Sequence, residues 1–197
     1  MGRPREHDEH TAAALLDVAE RTIAEHGVGA LAVREVAHSA GTTTRAIYSL
    51  FGSKDGLLAA LAAGGFEMLR EGLDAIPVTA DPRGDLIDAA LMFRRFAIGH
   101  PALFSICFQH ADPALRPRYR ETATVVFAVL EHRFEPLAAA GLLGGRSTLE
   151  AATQFHALCE GLAALELRRS LVAPDRERIW RNAVRALITG FADQVQP

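Results

Sequence analysis

Apolar residues along this chain recur at intervals of three and four, and stretches of β-branched alternation are missing. Nearly every segment therefore predicts an amphipathic helix, and none predicts a strand. The first helix is expected over about 10–26, with Leu15, Ala19 and Ile23 on one face beside Leu16, ending at Gly27 in a left-handed cap. A short second helix covers Val33 to Ser39 and buries Val33, Val36 and Ala37. Gly41 permits a tight turn, and a third short helix runs from Thr44 to Leu50. Ser53 is a good N-cap for a fourth, with Asp55 favourable in its first turn, Leu57, Leu58, Leu61 and Leu69 facing inward, and an end by Pro77. The stretch VTADPRGD is the most loop-like in the chain. The pattern beyond it predicts helices over 85–99, 101–110, 116–140, 148–170 and 174–194, several opening on proline, which the first helical turn tolerates. The expectation is an all-α protein of about nine helices, with an N-terminal domain over residues 1–60 and a helical body over 61–197.

A chain of 197 residues with 49% hydrophobic and 23% charged positions can bury a sizeable core without staples. No apolar run reaches the ~18 to 20 residues that span a bilayer, and the N-terminus MGRPREHDEH is polar, so a cytoplasmic protein without membrane contact is expected. Cys107 and Cys159 sit in apolar contexts without CxxC spacing, which predicts two reduced, buried thiols. The histidines lack HxxxH or HExxH spacing, and neither a metal site nor a cofactor is expected. The net charge of −3 excludes a broadly basic protein drawn to nucleic acid. Any contact with DNA must rest on where a few cations stand: Arg3, Arg5, Arg34, Arg45 and Lys54, the only lysine in the chain.

Those cations fall where they can act. Two short helices joined by a turn at Gly41 have the dimensions of a helix-turn-helix, whose second helix lies in the major groove. Thr42 or Thr43 can cap that second helix and present a backbone N–H to a phosphate, while Thr44 and Arg45 project from its first turn. Arg45 offers a fork to guanine O6 and N7. Tyr48 lies one turn beyond Thr44 and can reach the backbone, with Ile47 and Phe51 beneath it. Ser53 and Lys54 open the fourth helix as a phosphate clamp, and Arg3 and Arg5 could form an arm that orders on DNA.

This set resembles the TetR family of transcriptional regulators over about residues 10–60, through Gly27, Val36-Ala37, Ala40-Gly41, Thr43, Tyr48, Phe51, Ser53-Lys54 and Leu57. The resemblance implies a three-helix DNA-binding head, a helical ligand-binding and dimerisation body, no enzymatic activity, and repression relieved by a small molecule. It gives DNA-contact roles to Thr43, Thr44, Arg45, Tyr48 and Lys54. Leu31 and Ala32 stand where the family commonly places a phosphate-touching threonine or serine, Leu50 replaces a polar residue, and Arg45 replaces glycine, so the operator is expected to be this protein's own. The segment FAIGHPALFSICF, 96–108, resembles a subset of the family that later carries a tryptophan-x-x-x-histidine-glycine motif; here His156, Glu160 and Gly161 take those places.

A ligand pocket in a helical body is mostly apolar with a few polar groups, and Phe96, His100, Phe104, Phe108, His156 and Glu160 are the candidates. The last two helices offer Leu158, Leu162, Leu165, Ile179, Ala183, Ala186 and Leu187 at helical spacing, and the resemblance implies a four-helix homodimer interface. A two-fold dimer would address a pseudo-palindromic double-stranded operator with half-sites ~34 Å or a little more apart. An activator or a ligand-independent repressor with the same head is a second regulatory reading. An all-helical enzyme would need a nucleophile or phosphate-loop motif that the chain lacks, and a helical scaffold would have no use for Thr44, Arg45 and Lys54 in this arrangement.

Overall fold

A computed structural model describes residues 3–109, 116–172 and 174–192, with the side chains of 3–7, 116 and 118 excepted. Every regular element among them is helical: α1 Arg3–His26, α2 Val33–Ser39, α3 Thr44–Phe51, α4 Lys54–Asp74, α5 Pro82–Gly99, α6 Pro101–Phe104, α7 Arg116–His132, α8 Glu135–Ala139, α9 Thr148–Leu167 and α10 Arg176–Ala192. They form two compact units. The first takes the described residues up to Phe66 and from His100 to Ala123; the second takes Glu67 to Gly99 and Thr124 onward.

In the first unit α1 packs on α2, α3 and α6, and α2 packs on α3. Leu15, Ala19, Ile23, Leu31, Val36, Ile47, Leu57 and Leu58 are buried there, close to the set that helical spacing predicts. Val33 is only half-buried. Helix α1 begins at Arg3, earlier than the expected 10–26, and Gly27 follows it with φ 82° and ψ 165°, a glycine-specific extended conformation and not the left-handed cap. In the second unit α5, α9 and α10 pack on one another around Trp180, Val184 and Phe155.

Two expected helices of the body are built otherwise. The stretch 116–140 breaks after His132, because Pro136 has no N–H to give and its ring would strike the carbonyl four residues back; it sits instead in the first turn of α8. The stretch from Pro101 is α-helical only to Phe104 and widens into a π turn over Ser105–Gln109; His110 lies outside the described residues.

Candidate nucleic-acid interface and body sites

The turn between α2 and α3 is fixed by the backbone. Thr42 N–H donates to Ala37 O at 2.9 Å and Gly41 N–H to His38 O at 3.0 Å, with Gly41 at φ 66°: the paired bonds of a Schellman end. The Thr42 N–H is therefore consumed inside the turn, and Thr43 is the residue that caps α3, its Oγ1 accepting from Ala46 N–H at 3.4 Å. Ile47 is fully buried and anchors α3. Around it Arg45, Tyr48 and Ser49 are exposed, Tyr48 to 56%, high for a residue of its size, while Thr44 is half-buried. Ser49 had no part in the sequence reading; it lies four residues beyond Arg45 and so shares its face.

Helix α4 opens beside this surface in the chain. Ser53 Oγ accepts from Gly56 N–H at 3.0 Å, as expected of the cap, and Lys54 is the first helical residue, half-buried. Arg34 is exposed in the first turn of α2. Ala32 caps α2 with no side-chain bond and Leu31 is buried, so neither can offer a side chain to a phosphate. The side chains of Arg3 and Arg5 lie outside the described residues; their backbone belongs to α1.

The six ligand candidates fall in both units. In the first, Phe104 and Phe108 rings lie 5.6 Å apart, Phe66 meets Phe108 edge-on, and His100 Nδ1 faces Glu20 Oε1 at 3.0 Å. In the second, Phe96 neighbours Phe93, and the His156 ring is met edge-on by Phe93 at 5.9 Å and Phe127 at 6.2 Å, with Glu160 3.5 Å from its Nε2. Burial holds the His156 imidazole below the ordinary histidine range and pushes the Glu160 carboxyl above its own. The unfolded chain takes up the imidazole proton near pH 6.5 and the folded chain only at lower pH, so the stability His156 supplies is full above about pH 6.5 and falls with pH below it. Urea unfolding at about pH 7.5 and about pH 5.5 should show a loss that His156→Gln reduces.

Of the dimer candidates, Leu162 is buried within its own unit, whereas Leu165 and Ala186 are exposed and Leu158, Ile179, Ala183 and Leu187 are half-buried. Exposed Thr153, Ala157 and Gly161 continue the outer face of α9, and Leu149 at its start is 53% exposed. Sequence reasoning also missed Glu166, a buried carboxylate that accepts from Arg94 and Trp180 and ties three helices together. Both cysteines are free, and burial raises the Cys107 thiol to about 12. Among the described residues no group of three or more His, Cys, Asp and Glu could hold a metal, and no helix is long and apolar enough to cross a membrane.

Comparison with known proteins agrees with this geometry. Residues 15–61 match the bacterial regulatory proteins of the tetR family, and residues 86–187 match the tetracyclin repressor-like C-terminal domain. An HTH-type transcriptional regulator of Mycobacterium tuberculosis is 27% identical over 142 residues, 71% of this chain and 61% of that protein, so the chain spans about three fifths of the curated relatives it matches. Among solved structures, a Rhodococcus protein of unknown function aligns with a TM-score of 0.82 at 24% identity, over 93% of this chain and 96% of the other. FadR of Bacillus subtilis, solved in complex with stearoyl-CoA, aligns with a TM-score of 0.76 at 18% identity, over 90% of this chain and 97% of the other.

Proposed function

We propose that this chain, which belongs to the tetR family of bacterial regulatory proteins, binds a two-fold-related operator as a homodimer and represses transcription until a small molecule releases it. The observation that carries the reading is the exposed row of Arg45, Tyr48 and Ser49 over buried Ile47, followed by the Ser53-capped start of α4 with Lys54 in its first turn. An exposed arginine on a helix that fits the major groove reads base edges, and a lysine beside free helix-start N–H groups holds a phosphate. Thr43 and Thr44 assist at the start of α3, Arg34 reaches the backbone from α2, and Thr42 shapes the turn. The work is done in the cytoplasm, where the DNA is.

Dimerisation through the outer faces of α9 and α10 uses Leu158, Leu165, Ile179, Ala183, Ala186 and Leu187, whose apolar surface is left part-exposed within the chain. Its two-fold axis presents two α3 helices to half-sites about one helical turn apart. The effector is bound in the helical body, either by Phe96, His156 and Glu160 of the second unit or by His100, Phe104 and Phe108 of the first. It acts by preferring one state of α4, since equal affinity for both states would shift nothing. The fold shared with FadR makes acyl-CoA the first class to screen.

Selection of binding sites from a random DNA pool tests the reading. The wild-type protein should enrich a two-fold-related site, and Arg45→Ala should lose about 1 to 3 kcal/mol of discrimination at the base it reads. Lys54→Ala should weaken all sequences alike and lower the salt slope by about one. A folded dimer that enriches nothing at low salt would refute the proposal.

A further inference from the structure

We propose that Arg133 is an oxyanion-binding residue, taking a carboxylate or phosphate oxygen on Nη1 while Nη2 stays on the carbonyls of Leu73, in the last turn of α4, and Ile76, just beyond it. The break that Pro136 forces after α7 puts Arg133 in a short step where its own N–H turns back to Leu130 O at 3.1 Å. From there Nη2 donates to the carbonyl of Leu73 and to that of Ile76, the latter at 2.6 Å. A cation suits that place, because the end of a helix carries the negative end of its dipole, and the Leu73 carbonyl can accept from Arg133 beside its bond from Ile76 N–H at 3.1 Å. Nη1 is buried, and among the described residues it has no partner.

No carboxylate among the described residues forms an ion pair with this guanidinium. The nearest acids in sequence are used elsewhere: Glu131 accepts from Thr148 at 2.8 Å, and Glu135 meets His132 at 3.0 Å. Leu73, Leu130, Phe134 and Leu137, on the segments that flank Arg133 and its carbonyl partners, are all buried, while Arg133 itself is half-buried with its Nη1 inside. A guanidinium does not give up its proton, and a half-buried charge whose buried donor is idle carries a cost until an opposite charge or a hydrogen-bond acceptor meets that donor. Arginine's planar donors suit carboxylate and phosphate oxygens in particular. The same guanidinium holds the end of the helix that opens at Lys54, so an anion on Nη1 alters a contact that α4 depends on; this last step rests on the regulator reading.

The test is thermal unfolding of the full chain at constant ionic strength, exchanging sodium chloride for sodium acetate or sodium phosphate. Wild type should show a saturable rise, roughly 3 °C or more once the anion reaches about ten times its Kd. Arg133→Met should abolish the rise and Arg133→Lys should shrink it. Acetate acting alone identifies a carboxylate site, and phosphate acting alone a phosphoryl site. No rise, or the same rise in Arg133→Met, overturns the proposal and leaves a water as the partner of Nη1. Should Arg133→Met fail to fold, the guanidinium nitrogen resonance of Arg133 in the wild type must move during the same titration, and a fixed resonance overturns it equally. Operator binding by the wild type is measured separately, so a failure to bind DNA counts against the regulator reading without touching this result.

Discussion

Replacing Glu166 with alanine should lower the unfolding free energy by about 3 to 5 kcal/mol. Its carboxylate accepts from Arg94 Nε at 2.9 Å and Nη2 at 2.7 Å, and from Trp180 Nε1 at 3.0 Å. Those partners come from α5 and α10, so one side chain of α9 joins all three helices of the second unit's core. Truncation leaves the fully buried Trp180 indole N–H without an acceptor and the mostly buried Arg94 without its counter-charge. Burial alone would raise the Glu166 carboxyl, but the bonds from Arg94 and Trp180, with the charges of Arg94 and Arg176, outweigh it and hold the group below the usual carboxylate range. Its folded value being depressed, the stability it supplies is complete above the unfolded value near 4.3 and is lost as pH falls through the lower folded one. Urea unfolding at neutral pH should place Glu166→Gln between wild type and Glu166→Ala, with a shallower acid dependence than wild type. A loss below about 1 kcal/mol for Glu166→Ala would mean that the triad is no more than a surface-grade pair.

The first unit was legible because its signals are local. Gly41, Thr43 and Ser53 each act on a backbone group three residues away, and the second helix falls on 33–39 as the pattern predicts. The Arg94–Glu166 contact spans 72 residues, and no spacing in the sequence announces it. One clue was available: Glu166 falls on the same inward face of α9 as Phe155, Cys159 and Leu162, where a charge demands a partner. His156 and Glu160, by contrast, are an adjacent-turn pair that helical spacing makes visible. The motif FAIGHPALFSICF, which holds four of the ligand candidates, crosses from one unit to the other between Gly99 and His100, a division that periodicity cannot register. At Pro136 two sequence signals conflict: the apolar repeat runs through it as one helix, whereas its missing N–H ends that helix.

Glycine offers a second large effect, and a contrast that tests its cause. Gly144→Ala should destabilise by roughly 2 to 5 kcal/mol, combining the left-handed backbone cost with overpacking. Gly144 has φ +57°, and a Cβ there would stand 2.1 Å from the Phe191 carbonyl oxygen, a backbone atom that cannot swing aside. Arg146 fastens the same turn to the end of α10, donating to Leu143 O at 3.2 Å and Phe191 O at 3.4 Å with its guanidinium 5.1 Å over the Phe191 ring. Moving the turn to admit the methyl would therefore loosen those contacts as well. Gly41 has φ +66° but nothing within 4 Å of a Cβ, so Gly41→Ala should cost only the conformational term, about 1 to 2 kcal/mol. Asparagine, which tolerates the left-handed region, should recover part of the loss at Gly41 and none at Gly144, where the oxygen still blocks it. Urea unfolding of the four variants decides the matter. If Gly144→Asn proves as mild as Gly41→Asn, the close approach of the Phe191 carbonyl is not what fixes glycine at 144, and the backbone angle alone is.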